Sequence, residues 1–361
     1  MRIGIVGGGQ LARMLALAGI PLGMRFTFLD PAADAGAAAL GRHIVGAYDD
    51  PAALDALADA SDVVTYEFEN VPADGMQRLL DRVPVYPHPR ALAASRDRAS
   101  EKQLFRDLAI PVPPYVLVDA ETDLRRAVAE LGLPAVLKTR TLGYDGKGQA
   151  VLRTADDVAA AWERLGGVPL ILESFVTFTR EISMVAARGR DGATAFYPVS
   201  ENVHRDGILR ISRCRREDPA ATTAQEYAAR LLAHLDYVGV LALELFDTPQ
   251  GLYANEMAPR VHNSGHWTIE GACTSQFENH VRAVCGLPLG DTAPLGCTAM
   301  LNCIGKLPDI DAVLKHADVH VHDYDKQPRA GRKVGHITVR SDAASALEDL
   351  VQAITQVLPE N

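Results

Sequence analysis

Two glutamates, Glu244 and Glu256, flank a tight turn in a way that suits a cation. Glu244 is the one charge in the apolar run Val240–Phe246. Asp247-Thr248-Pro249-Gln250-Gly251 turns the chain, and Leu252–Met257 returns. Counting back through the turn puts Glu256 almost directly opposite Glu244, with Cβ atoms roughly 5 Å apart on one face. Two such carboxylates repel, and burying them unpaired is costly. A hard divalent cation removes both problems, and carboxylates plus substrate phosphate are the usual surroundings of Mg2+. The alternative is one glutamate paired with an arginine and the other exposed.

A second chemistry-bearing stretch is Lys138-Thr-Arg-Thr-Leu-Gly-Tyr-Asp-Gly-Lys-Gly-Gln149. Gly143, Gly146 and Gly148 permit turns that a side chain forbids, so backbone N–H groups can face inward around a polyphosphate. Lys138, Arg140 and Lys147 add positive charge. A solvated hairpin loop would use the same residues. Near the N-terminus, Gly7-Gly8-Gly9-Gln10-Leu11-Ala12 follows a strand and opens a helix, and Asp30 ends the next strand. These are the formal marks of a dinucleotide fingerprint, so a nicotinamide-dependent oxidoreductase is a rival reading. A nucleotide monophosphate or a sugar phosphate suits the helix N-terminus equally, and so does a tight turn with no ligand.

Glu67, Glu69 and Asn70 follow the strand Asp62–Thr65, at the carboxyl edge where open parallel sheets bind ligands. After the glutamate hairpin comes Ala258-Pro-Arg-Val-His-Asn-Ser-Gly-His-Trp-Thr268, a polar loop. His262 and His266 have i,i+4 spacing, but Asn-Ser-Gly between them argues against a helix and a zinc pair. Gly331-Arg332-Lys333-Val334-Gly335-His336 reads as a basic glycine turn suited to a phosphate or carboxylate. His320 and His322 alternate along a strand and read as ordinary face residues.

These residues must be held by elements of more than one kind. Residues 1–95 alternate strand and helix: strands at Arg2–Val6, Arg25–Leu29, Asp62–Thr65 and Val83–Val85, helices at Gln10–Ala18 and Pro51–Ala60. That pattern predicts a parallel sheet. Arg96–Leu108 is a charged helix, and Pro111, Pro113 and Pro114 mark a boundary. Residues 115–180 read as a small α+β module with helices at Asp123–Leu131 and Asp156–Leu165. From Glu181 strands dominate, at Ile182–Ala187, Ala195–Pro198, Val238–Phe246, Leu252–Met257, Val319–Val321 and Ile337–Val339, with helices near 222–235, 274–285 and 345–357.

The 361 residues suffice for two or three domains with a large core. Hydrophobic residues make up 48% and charged residues 23%, the balance of a soluble globular chain. A net charge of −10 argues against a general nucleic-acid or anionic-membrane binder. No apolar run approaches the ~18 residues of a membrane span. Met1–Val6 is too short an apolar run for a signal peptide. Five cysteines without C-x-x-C spacing read as reduced thiols, so a cytoplasmic location is expected.

Together the motifs Gly7–Leu11, Tyr66–Asn70, Gly143–Gln149, Asn255–Trp267 and Gly331–His336 resemble the ATP-grasp superfamily. Within it they are most similar to the 5-(carboxyamino)imidazole ribonucleotide synthetases of purine biosynthesis. They follow that family's order over nearly the whole chain, and the Asn-Ser-Gly-His-Trp loop is specific to it. Ala12 stands where the family often has glycine, and Thr141-Leu142 where many members have Arg-Gly or Gly. The resemblance implies a combined α/β and α+β architecture, the ATP-grasp fold. A Rossmann-like preATP-grasp parallel-sheet domain is expected over 1–95, a connecting helix and linker over 96–114, a small lid subdomain over 115–180, and a catalytic and C-terminal mixed-sheet domain over 181–361.

It further implies that ATP phosphorylates bicarbonate to carboxyphosphate and that 5-aminoimidazole ribonucleotide takes up the carboxylate, directly or through carbon dioxide. ATP and two Mg2+ ions are then the expected cofactors. Biotin is not, and no Met-Lys-Met site is present. By the same resemblance Arg98 and Lys138 touch the ATP phosphates, and Gly143, Tyr144, Asp145, Gly146, Lys147, Gly148 and Gln149 close over them as a lid. Glu173, Ser174, Phe175 and Val176 lie along the adenine and read its edge through main-chain groups. Glu181 binds the ribose hydroxyls and His204 lines the nucleotide site. Glu244 and Glu256 hold Mg2+ with Asn255 beside them. Arg260, His262, Asn263 and His266, with Tyr144, Asp145 and Lys333, serve the reacting groups. Gly8, Gly9, Gln10, Leu11, Glu67, Glu69, Arg332 and Lys333 hold the ribonucleotide. Asp145 and His262 are both candidates for a general base. The expected partners are small molecules, with a homodimer and without nucleic acid or membrane.

Overall fold

The computed structural model describes residues 1–143 and 147–359. Its first sheet holds β1 (Arg2–Val6), β2 (Arg25–Asp30), β3 (Arg42–Val45) and β4 (Val63–Tyr66) in the parallel order β3-β2-β1-β4. The helices α1 (Gln10–Gly19), α2 (Pro51–Asp59) and α3 (Ala73–Leu80) accompany it. The strand expected at Val83–Val85 reduces to one bridge, Val64 to Val85. Pro84 leaves that segment one donor short for a ladder, and its carbonyl receives Val64 N–H.

Two helices follow, α4 (Pro89–Ser95) and α5 (Arg98–Asp107). Asp97 caps α5 by accepting Ala99 N–H at 2.7 Å. The second sheet, β5 (Tyr115–Val118), β6 (Ala135–Thr139), β7 (Gln149–Leu152) and β8 (Leu170–Ser174), runs antiparallel in the order β5-β8-β6-β7. One face packs on α6 (Glu121–Leu131) and α7 (Asp157–Leu165) through Leu124, Ala127, Leu137, Leu152 and Val158.

The third sheet has nine strands: β9 (Arg180–Arg188), β10 (Thr194–Phe196), β11 (Val199–Arg205), β12 (Ile208–Arg215), β13 (Gly239–Thr248), β14 (Gly251–Ala258), β15 (Cys297–Ile304), β16 (Val319–Asp323) and β17 (Lys333–Ser341). The order is β14-β13-β9-β11-β12-β15-β17-β16, with β10 beside β9. The glycine turn expected over 331–336 is shorter than its motif, because Lys333 already begins β17. Around the sheet lie α8 (Ala221–His234), α9 (Thr268–Gly271), α10 (Gln276–Cys285), α11 (Ile310–Val313) and α12 (Ala344–Val357).

One apolar cluster joins the first and third sheets. It runs from Phe26 and Phe28 through Phe277 and Val281 of α10 to Val240 and Trp267. Within this seam the buried His280 ring accepts Val240 N–H at 3.1 Å and lies 2.8 Å from Thr65 Oγ1. The carboxyl ends of the first sheet are thereby fixed against the face of the third. No helix among the described residues is long and apolar enough to cross a membrane.

Candidate active site

A cavity of about 910 Å3 lies where the three sheets and the C-terminal segment meet. The glutamate hairpin forms one wall. From Thr248–Gly251 to Leu245–Ala254 the ladder of β13 and β14 is regular; a bulge at Asn255 then brings Glu244 opposite Glu256. Without that extra residue Glu256 would oppose Leu243 and point to the other face, because strand side chains alternate. Each glutamate has a side-chain partner of its own: Arg98 Nη1 is 2.8 Å from Glu256, and His262 Nε2 is 3.0 Å from Glu244. Burial raises the Glu244 pKa, but His262, His204 and Arg260 together outweigh it and hold the carboxyl well below its usual range.

The donor set fits Mg2+. Both carboxylates and Asn255 line the cavity, and the buried Asn255 Oδ1 has no hydrogen-bond partner among the described residues. These are oxygen ligands, the choice of a hard cation. Among the described residues no group of three or more His, Cys, Asp or Glu forms a closed metal cage. Bound phosphate oxygens would have to complete the coordination.

The second sheet supplies the next wall. Lys138 pairs with Gln149 at the base of the β6–β7 hairpin and bonds Glu173 Oε2 at 3.0 Å. Lys102 Nζ lies 3.3 Å from the same oxygen. Burial raises the Glu173 pKa, yet Lys138, Lys102 and Arg98 together outweigh it and bring it down to about 2. Hairpin and phosphate cradle are not exclusive here: β6 and β7 pair up to Lys138 and Gln149, and Gly143, Lys147 and Gln149 line the cavity. Arg140 contributes less charge than expected, because Asp97 takes its guanidinium at 2.7 Å. Gly148 is off the cavity wall and supports the turn at φ +72°. Tyr144, Asp145 and Gly146 lie outside the described residues.

Glu173, Ser174, Phe175 and Val176 all line the cavity. The expected main-chain edge is narrower than four residues, since Ser174 N–H bonds Pro114 O and Phe175 N–H bonds Pro134 O. Phe178 and Phe246, stacked with centroids 4.9 Å apart, add a flat apolar flank that sequence reasoning missed. Glu181 and His204 also line this part, 3.2 Å apart. Burial lowers the His204 pKa, and the Glu181 carboxylate, with Glu244, more than restores it.

The N-terminal glycine turn departs most from expectation. Gly8 N–H bonds Asp30 at 2.8 Å, while Gly9 N–H and Ala12 N–H both bond Glu67. The helix N-terminus thus already holds a carboxylate of the chain itself, and Gly8 and Gly9 do not line the cavity. Glycine is required here to admit Glu67: a Cβ on Gly7 would lie 2.3 Å from its Cγ, and one on Gly9 2.8 Å from its Oε1. Burial raises the Glu67 pKa. Asp30 turns back on Gly8 and so does not take the ribose role of a dinucleotide fingerprint. Gln10 and Leu11 remain on the cavity wall with Glu67 and Glu69.

On the far side Arg260 pairs with Glu69 at 2.7 Å, and His262 Nδ1 lies 2.9 Å from Ser264 Oγ. Asn263 and His266 reach the wall with the Asn263 amide and His266 Nδ1 engaged. Asn263 and Asn302 exchange amide bonds at 3.1 and 2.6 Å, and His266 Nδ1 lies 3.1 Å from Gln276 Nε2. His266 is 1% exposed, and burial, then His262, His322, Lys333 and Arg260 nearby, push its pKa well below the ordinary histidine value. Arg332 and Lys333 line the cavity beside Lys326 and Arg329, which sequence reasoning missed. Four basic residues within eight positions of an acidic chain were the available signal. His322 is more than a face residue: it bonds Glu270 at 2.8 Å and stacks on His336 with centroids 4.2 Å apart.

Three family models match successive parts of the chain. They are a ribonucleotide synthetase preATP-grasp domain over residues 1–96, an ATP-grasp domain over 103–277 and a phosphoribosylaminoimidazole carboxylase C-terminal domain over 298–350. The N5-carboxyaminoimidazole ribonucleotide synthase of Pseudomonas aeruginosa is 56% identical, over 99% of both chains. The solved N5-carboxyaminoimidazole ribonucleotide synthetase of Thermus thermophilus superposes with a TM-score of 0.95 at 52% identity, covering 99% of each chain. An N5-carboxyaminoimidazole synthase of Aspergillus clavatus, solved with ADP and 5-aminoimidazole ribonucleotide, gives 0.92 at 30% identity, covering 99% of this chain and 98% of the other.

Proposed function

Because the chain belongs to the N5-carboxyaminoimidazole ribonucleotide synthase family of ATP-grasp enzymes, we propose that it couples ATP hydrolysis to carboxylation of 5-aminoimidazole ribonucleotide. Bicarbonate is the carboxyl source, carboxyphosphate the intermediate, and N5-carboxyaminoimidazole ribonucleotide, ADP and phosphate the products, a step of purine synthesis. The observation that carries this reading is the register that sets Glu244 opposite Glu256 in a cavity with Arg98 and Lys138 on one side and Arg260 and His262 on the other.

Phosphoryl transfer needs positioning and charge neutralisation more than a nucleophile. Arg98 and Lys138 meet the phosphates, and Gly143, Lys147 and Gln149 flank them. Phe178, Phe246 and Phe175 cover the base, and Glu181 with His204 meets the ribose. Glu244, Glu256 and Asn255 would hold Mg2+, with two ions expected, and its charge would offset that of the phosphates. Arg260 holds bicarbonate, and His262, released from Glu244, is the described residue placed to move a proton. Gln10, Leu11 and the basic residues Lys326, Arg332 and Lys333 hold the ribonucleotide. Carboxyphosphate hydrolyses readily, so its site must exclude water, and the buried His266 with the half-buried Asn263 closes that end. A cytoplasmic homodimer completes the proposal.

The test is phosphate release from ATP by purified protein. Release should be slow until bicarbonate and 5-aminoimidazole ribonucleotide are both present. No stimulation by the ribonucleotide would sink the substrate assignment.

A further inference from the structure

Helix α5 turns one face to the glutamate hairpin, and that face is charged. Arg98, Glu101, Lys102 and Phe105 share it by helical spacing. Glu101 is 2% exposed and Lys102 is fully buried. Such burial is costly unless the groups find partners, and both find them in the main chain of β14. Lys102 Nζ donates to Ala254 O at 3.3 Å and to Asn255 O at 3.0 Å. Glu101 Oε1 accepts Met257 N–H at 2.7 Å.

β14 is the edge strand, so the backbone groups on its outer side have no strand to meet. Pro111 O takes Ala254 N–H at 2.7 Å, and α5 takes the rest just described. In a regular strand the groups facing one side recur every second residue. Here Ala254 and Met257 both face outward, three positions apart, because the bulge inserts Asn255. The Lys102 and Glu101 bonds lie on either side of that inserted residue. Both can form together only while the bulge is present.

We propose that Glu101 and Lys102 are positioning residues that pin the bulge at Asn255 and so keep Glu256 on the face of Glu244. This rests on the reading of the glutamate pair as a cation site. Slipped by one residue, Glu256 would turn towards the apolar layer that contains Leu243 and Met257.

The test uses Mn2+ with ADP, followed by electron paramagnetic resonance of free and bound Mn2+, on the full chain. Lys102→Met and Glu101→Ala should weaken Mn2+ binding by about 10- to 100-fold, the range for residues that orient metal ligands. Glu101→Gln keeps an acceptor for Met257 N–H and should restore most of the affinity. If folded Lys102→Met and Glu101→Ala bind Mn2+ as the unaltered protein does, while Glu256→Gln loses it, this proposal alone fails. If Glu256→Gln also leaves Mn2+ binding unchanged, the cation reading fails and takes the proposal with it. Should neither variant fold, hydrogen exchange of the unaltered protein decides: Met257 N–H should be strongly protected, and fast exchange there overturns the proposal.

Discussion

Glu67 in the glycine turn and the pair Glu244–Glu256 in the hairpin are carboxylates on walls of one cavity, and they are bonded in different ways. Glu67 accepts two backbone N–H groups at the start of α1. Glu244 and Glu256 each face a side-chain partner, His262 and Arg98. The glycine turn also closes on the Glu67 side chain, so tightly that a Cβ on Gly7 would lie 2.3 Å from its Cγ, whereas a histidine or arginine that lines the open cavity can swing away by changing rotamer. The first carboxylate is therefore part of the scaffold. The other two can exchange their partners for a metal ion and phosphate.

The sharpest way to break this contrast is Glu256→Gln. Turnover should fall by about 10²–10³-fold, the scale for losing one preorganised electrostatic group, with the far-ultraviolet circular dichroism unchanged. A change of less than threefold would place Glu256 with the scaffold. Gly7→Ala attacks the other side. The new Cβ meets Glu67 at 2.3 Å where the backbone has φ +108°. Unfolding in urea should show a loss of about 2–3 kcal/mol.

The pH dependence of stability separates two buried carboxylates by sign. Glu173 titrates at about 2 in the folded protein, below its ordinary 4.5. Its contribution is full above pH 4.5 and is lost as pH falls towards 2. The Glu67 pKa is raised by burial, so its contribution is present below 4.5 and lost as pH rises through the folded value. Urea titrations from pH 3 to 8 should show Glu173→Gln less sensitive to acid than the parent. Glu67→Gln should lose less stability on the way up. The smallest effect belongs to Arg140→Met, which removes a half-buried pair with Asp97. About 0.5–1 kcal/mol is expected from denaturation, and a larger loss would make this ion pair a structural hinge of the loop.

Much of the fold was legible because its signals are local. β1 and the start of α1 stand where apolar alternation and the glycine turn place them. β11, β12 and β15 went unassigned for different reasons. β11 and β12 carry charges on one face, Glu201 against Arg215 among them, which reads as solvated surface until the sheet pairs them at 3.0 Å. β15 is a nearly continuous apolar run with two cysteines, which a buried helix could also show. In the site, a regular ladder through the two-residue turn would set Glu244 against Asn255, and the bulge moves it to Glu256.

Residue type and short-range spacing settled which chemistry was available: oxygen ligands on a hairpin, lysine at the root of a glycine loop, and basic groups near the C-terminus. Periodicity and turn geometry act over a few residues and are written in the chain. Ownership of each group depended on partners that arrive from far along it. Glu67 reaches Gly9 from 58 residues away, and Glu101 reaches Met257 from 156. Those contacts decided that one anion site was already filled and that the other stayed open to a ligand. A buried charge must be matched wherever it lies, and its match is set by packing in three dimensions.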